Sequence, residues 1–188
     1  MIRALLSALA LAGAALPASA QTQLPFDLGG SYELTDQFGK SRTQSDPDGQ
    51  AQLVFFGYAN CPGICSTAMP LMAEVVNNLA RQDIEVTPVM ITVDPERDTV
   101  ATMGKPLAEI HPGFVGLTGD QTALTAAYDA FSVEISVAYV DPRYGPIYSH
   151  GGLIHLLDAD GTVLTVLPPV LDPDTVTGIV ARYVTPSG

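Results

Sequence analysis

Tryptophan is absent from this 188-residue chain, which holds two cysteines, three histidines and eight lysines plus arginines against 20 acidic residues. Each scarcity removes a class of function. Two cysteines are too few for an iron–sulfur cluster held by one chain. A formal charge of −12 and a pI near 4.3 speak against nucleic acid and anionic membrane surfaces, both of which recruit basic patches. Intrinsic disorder is excluded as well, because 47% of the residues are hydrophobic and 15% charged, enough apolar side chain for one globular domain with its own core. Cationic partners remain allowed, and any chemistry must come from a few side chains.

The first 20 residues read as a leader. Arg3 gives a positive start, Ala4 to Ala15 is an apolar run of Ala, Leu and Gly, and Ala18-Ser19-Ala20 sets small residues at both positions a signal peptidase reads. Cleavage is expected before Gln21. Pro17 and Gln21 cut the apolar run short of the roughly 20 residues that span a bilayer, so removal is favoured over a retained anchor. The mature domain, residues 21–188, is then exported to an oxidising compartment, the periplasm in a bacterium.

The rest of the chain alternates strand and helix patterns. Ser31 to Thr35 alternates and Asp36-Gln37-Phe38-Gly39 is a turn, so Gly29 to Ser45 is expected to form an N-terminal β-hairpin. Gln52 to Tyr58 is apolar nearly throughout, as in a strand buried on both faces. Ser66 to Gln82 carries Met69, Met72, Val76, Leu79 and Ala80 near helical spacing, with Ser66 or Thr67 as cap and Pro70 tolerable only in the first turn. A strand at Val86 to Val93, a helix capped by Asp98 or Thr99 and ending near Ile110, a strand at Phe114 to Leu117 and a helix at Asp120 to Phe131 follow. Strands are expected at Val133 to Val140, Leu153 to Asp158 and Val163 to Leu167, a loop between Tyr139 and Ser149, and a closing helix from Asp174 to Tyr183. Parallel strand–helix units followed by an antiparallel pair and a closing helix predict an α/β sandwich of the thioredoxin type.

Cys61 and Cys65 stand in the loop Asn60-Cys61-Pro62-Gly63-Ile64-Cys65, just before a helix. One helical turn apart, they would lie within the roughly 4.4–6.8 Å Cα separation that permits a disulfide if the loop is helix-like. As a staple the bond is inefficient, since closing a loop of about five residues gains only about 2 kcal/mol in the chain-entropy account. A helix N-terminus, by contrast, favours thiolate. Three intervening residues, one more than in a thioredoxin-like redox motif, leave space for a bridging ion. Two thiolates suit Cu(I), and a nitrogen donor lets such a site also hold Cu(II).

His111 precedes Pro112 and Gly113 and reads as a helix cap. His150 and His155 are five positions apart, so strand alternation sends them to opposite faces and at most one meets the cysteines. His155 lies among Leu153, Ile154, Leu156 and Leu157, whereas His150 stands at the mouth of the strand and is the preferred third ligand. Met69, Met72, Met90 and Met103 read as core at their helix and strand spacing.

Three motifs in order resemble the Sco/SenC family of copper proteins: Phe55-Phe56-Gly57-Tyr58-Ala59-Asn60-Cys61-Pro62-Gly63-Ile64-Cys65, Val93-Asp94-Pro95-Glu96-Arg97-Asp98-Thr99, and His150 ahead of Asp158-Ala159-Asp160-Gly161. The resemblance runs from Phe26 to Tyr183. It implies a thioredoxin fold with an N-terminal hairpin, and one copper ion, Cu(I) or Cu(II), on Cys61, Cys65 and His150. It also implies a role in assembling the copper A centre of cytochrome c oxidase, with subunit II as receiving partner. Asp94, Arg97 and Asp98 become a candidate partner-facing loop, where physical chemistry alone reads a turn and a helix cap. The chain departs from family habit at Gly63, usually acidic, at Ser66, usually Pro, and at Ser149, usually Asp, which removes negative charge beside the site.

Two classes of function follow. A metallochaperone passes copper to a partner by ligand exchange and has no turnover. A thiol–disulfide oxidoreductase attacks a target disulfide with Cys61, the more exposed thiol, and resolves the mixed disulfide with Cys65. His150 favours the first, because dithiol exchange needs no histidine from a distant loop. A thioredoxin-fold interaction module with an idle disulfide is the third reading. A peroxidase lacks its second reactive cysteine. The mature chain is expected to be a monomer without a membrane anchor.

Overall fold

The computed structural model describes residues 27–185 apart from 60, 62 and 64, so the expected leader at residues 1–20 lies outside the described residues. In chain order the elements are β1 (Glu33–Asp36), β2 (Ser41–Thr43), β3 (Ala51–Gly57), α1 (Cys65–Ala80), β4 (Val86–Thr92), α2 (Gly104–Ile110), β5 (Val115–Thr118), α3 (Gln121–Ala130), β6 (Ser136–Asp141), β7 (Gly145–Ser149), β8 (Ile154–Leu157), β9 (Val163–Leu167) and α4 (Pro173–Val184). Seven strands form one sheet in the order β2-β1-β5-β4-β3-β8-β9, and β6 pairs only with β7.

The apolar run of β3 places it inside the sheet, parallel to β4 with Val54 opposite Val89 and antiparallel to β8 with Val54 opposite His155. Both faces are covered, and Leu53, Val54, Phe55 and Phe56 are buried. On one face Phe56 packs against Tyr128 of α3 and Phe131 just beyond it. On the other lie α1, which touches β3 and β4, and α4, which packs on α1. The β1–β2 hairpin joins through antiparallel pairing of β1 with β5. This is the predicted thioredoxin-type α/β sandwich with an N-terminal hairpin.

Three local expectations are corrected. Pro70 lies in the second turn of α1, where it offers no N–H to the carbonyl of Ser66, an exposed residue. The helix expected from Asp98 or Thr99 begins only at Gly104, because the Asp98 carboxylate turns inward to accept from Ala59 N–H and the Thr92 hydroxyl. The stretch from Tyr139 to Ser149 is the β6–β7 hairpin rather than a loop, and its first strand starts at Ser136 rather than Val133. The Asp141 carboxylate caps the turn by accepting from Arg143 and Tyr144 N–H, and Gly145 takes φ +74°, a value that favours glycine. Among the described residues no helix is long and apolar enough to cross a membrane.

Candidate metal centre

The site forms where β3 ends. Gly57 faces α1, and a Cβ there would come within 2.6 Å of the Phe55 ring and 3.1 Å of Cys65 Sγ, so glycine is what lets the second cysteine close on the strand. Beyond it the chain turns, with Cys61 N–H donating to the Tyr58 carbonyl at 3.2 Å. Asp98 pins this turn through Ala59 N–H at 2.9 Å and holds the Thr92 hydroxyl, also at 2.9 Å. Thr92 in turn accepts from Asp94 N–H. Burial raises the Asp98 carboxyl above its ordinary range, against the lowering effect of these two donors.

The segment expected to face a partner is therefore internal framework for two of its three residues. Asp94 is 2% exposed and Asp98 1%, which corrects the partner-facing reading for both. Arg97, half-buried, pairs with Asp94 and donates to the Tyr144 carbonyl and, at 2.9 Å, to the Pro146 carbonyl. Its guanidinium also lies 5.7 Å from the Tyr58 ring centre. Arg97 thus straps the β6–β7 hairpin to the wall of the site.

Cys61, Cys65 and His150 bring one sulfur, one sulfur and one ring nitrogen within 4.8 Å of one another, with Cys65 Sγ 3.6 Å from His150 Nε2. Both cysteines are free thiols, Cys61 half-buried and Cys65 buried. The pair is polarised. Cys61 is lowered to about 4, first by the hydrogen bond from Cys65 and further by His150 and the N–H groups of Cys65 and Gly63, with burial opposing. Cys65 is pushed far up because it donates to Cys61, is desolvated and faces the Cys61 charge. The two sulfurs titrate as a pair, with ionisation favoured at Cys61 over Cys65. His150 is buried at the end of β7, edge-on to the rings of Phe55 and Tyr58 at 5.8 and 5.9 Å. Its buried Nδ1 has no hydrogen-bond partner among the described residues.

His155 lies in β8 against Phe56 and Phe131, and burial lowers its pKa to about 4, leaving it neutral; His150 precedes β8 instead of sharing its strand, so the alternation expected to separate the two does not operate. His111 caps the end of α2, its Nδ1 accepting from Gly113 N–H at 3.0 Å. Met69, Met72, Met90 and Met103 are core. The aromatic wall escaped sequence reasoning. Tyr58 and Tyr148 meet edge to face at 5.6 Å, and Tyr148 donates to Asp94 Oδ1 at 3.4 Å. An aromatic three residues before Cys61 was a usable signal for Tyr58, whereas Tyr148 lay in a stretch read as loop.

A thioredoxin-type domain that joins two thiols of a CxxxC turn to an imidazole from a distant hairpin is built to hold a soft metal ion. The sequence profile of the SCO1/SenC family matches residues 20–185, and the chain belongs to that family. It is 36% identical over 140 residues to an SCO2-like protein of Rickettsia felis, across 73% of this chain and 67% of that one. It is 39% identical over 134 residues to the mitochondrial SCO2 homolog of Mus musculus, across 70% of this chain and 52% of the mouse protein. The structure of Bradyrhizobium japonicum ScoI with copper bound matches with a TM-score of 0.73 and 32% identity, over 83% of this chain and 99% of that one. Yeast Sco1 with copper bound matches with a TM-score of 0.77 and 28% identity, over 86% and 91%.

Proposed function

We propose that this chain binds one copper ion through Cys61, Cys65 and His150 and delivers it to the copper A centre of cytochrome c oxidase, subunit II being the recipient. The observation that carries the reading is the convergence of two thiols and one imidazole within 4.8 Å, a donor set suited to Cu(I) and, through the nitrogen, to Cu(II). The solved ScoI and yeast Sco1 relatives are described with copper bound. The arrangement favours thiolate at Cys61, and binding the ion requires Cys65 to release its proton as well. His150 Nε2, facing Cys65 Sγ, supplies the third donor. Cys61, the more exposed sulfur, is the first ligand a recipient can replace. The domain at residues 21–188 does this outside the cytoplasm, after loss of its leader. Loading the reduced protein separately with Cu(I) and Cu(II) tests the reading: one ion per chain supports it, and equally tight binding by the disulfide form removes the ligand assignment.

The polarised pair also favours a second reading. A thiol–disulfide oxidoreductase needs an accessible thiolate and a buried resolving thiol, which describes Cys61 and Cys65. Cys61 would attack a partner disulfide, and Cys65, losing its proton, would displace the mixed disulfide. Two electrons pass to the partner and a Cys61–Cys65 bond remains. Rapid reduction of a protein disulfide by copper-free protein, with no uptake of copper, would favour it.

A further inference from the structure

The first strand of the β6–β7 hairpin buries little of itself. Every residue from Ser136 to Val140 is exposed, including Val137 at 55%, Tyr139 at 58% and Val140 at 69%. The main sheet does not pair with it, so both faces of an apolar Val-Ala-Tyr-Val strand stand in water. A cluster of this kind on a soluble domain marks a contact surface. The hairpin is nonetheless held in place by Arg97 through the Tyr144 and Pro146 carbonyls. Its second strand ends at Ser149, next to His150. Whatever rests on the hairpin is therefore beside the proposed copper site.

Charge selects the occupant. At the foot of the hairpin a cavity of about 640 Å³ is walled by Ile135, Ser136 and Tyr148 together with Glu96, Asp129 and Glu134, and no basic residue lines it. None of these three carboxylates forms an ion pair among the described residues. A second copy of the chain would bring another −12 to the same place, and like charge opposes that contact. We infer that the hairpin is the docking face for the copper-receiving protein, which lays an apolar patch on Val137, Tyr139 and Val140 and sets Lys or Arg side chains toward Glu96, Asp129 and Glu134. The inference rests on the copper-delivery reading for the identity of its occupant. Docking there brings the recipient to the half-buried Cys61 and to the strand that carries His150.

The test uses the full mature protein, isotope-labelled, and the copper-free soluble domain of oxidase subunit II from the same source. Amide shifts on titration should concentrate between residues 136 and 149, and affinity should fall as salt is raised. Tyr139→Ser with Val140→Glu, both at exposed positions, should weaken binding by roughly tenfold or more. Asp129→Lys with Glu134→Lys should weaken it as well. Both double variants should still take up one copper per chain. Unchanged affinity in the hairpin variant, shifts confined to another face, absence of binding by the wild type, or a wild-type dimer that Val140→Glu dissolves would each overturn the docking face. Copper uptake, read in the same samples, separates that failure from failure of the copper reading, since a chain that docks but takes up no copper contradicts only the latter.

Discussion

Replacing Cys65 with Ala should raise the apparent pKa of Cys61, because the first cause of its low value is the hydrogen bond that Cys65 donates. A hydrogen bond to a charged group is worth about 1.5–3 kcal/mol, and one pKa unit corresponds to about 1.4 kcal/mol, so the rise should be about one to two units. The N–H of Gly63, 3.4 Å from Cys61 Sγ, and His150 remain to hold it below the ordinary 9.0. Thiolate absorbance near 240 nm, followed from pH 3 to pH 10, reports the inflection directly. Iodoacetamide labelling located by mass spectrometry assigns it to Cys61. The position of the inflection is the quantity to compare, since the intrinsic reactivity of a thiolate also falls with its pKa. In the wild type the inflection belongs near 4, so Cys61 should label at nearly constant rate between pH 5 and pH 7, whereas an ordinary thiol would lose about tenfold in thiolate per unit there. A wild-type inflection near 9, or one that Cys65→Ala leaves in place, would refute the coupled-pair account.

Other expectations follow from the same geometry. His150→Ala should weaken Cu(II) far more than Cu(I), which tolerates two sulfurs alone, while His155→Ala should leave copper uptake intact; a titration followed by sulfur-to-copper charge-transfer absorption compares them. His155 is held neutral with a folded pKa near 4 against an ordinary 6.5, so the unfolded chain binds the extra proton between those values. Stability should therefore be full above pH 6.5 and decline as pH falls towards 4, by up to about 3 kcal/mol in urea unfolding, a decline that His155→Leu should remove. Asp98→Ala orphans Ala59 N–H and frees the Thr92 hydroxyl, and should cost about 1–3 kcal/mol of stability and loosen copper binding, as hydrogen exchange at Ala59 and a copper competition assay would show. Gly57→Ala should impair folding or separate Cys65 from β3, read as lost copper stoichiometry in whatever protein remains folded.

The strands were legible in the sequence wherever burial produced a pattern. β3 and β4 show as apolar runs, and β1–β2 shows as alternation around a turn. His150 and His155 do lie apart, with Phe55 and Tyr58 against one ring and Phe56 and Phe131 against the other, but not through a shared two-residue period, because His150 follows β7 and His155 lies in β8. What stayed hidden had non-local causes. Asp98 looks like a helix cap, and only the approach of Ala59 and Thr92 across the fold turns its carboxylate inward. The second strand of the β6–β7 hairpin hid because its Pro and Gly suggest a loop and because it is only half-buried, too little to impose a readable pattern. Arg97 shows no strap role in sequence, since the carbonyls it binds are 47 and 49 residues away.

X-ray absorption at the copper edge of the loaded, reduced protein tests the central claim most directly. Two sulfur scatterers and one nitrogen are predicted for the wild type, the nitrogen lost in His150→Ala and one sulfur lost in each single cysteine variant. A copper shell without sulfur, or one unaltered by those substitutions, would contradict the assignment of Cys61, Cys65 and His150.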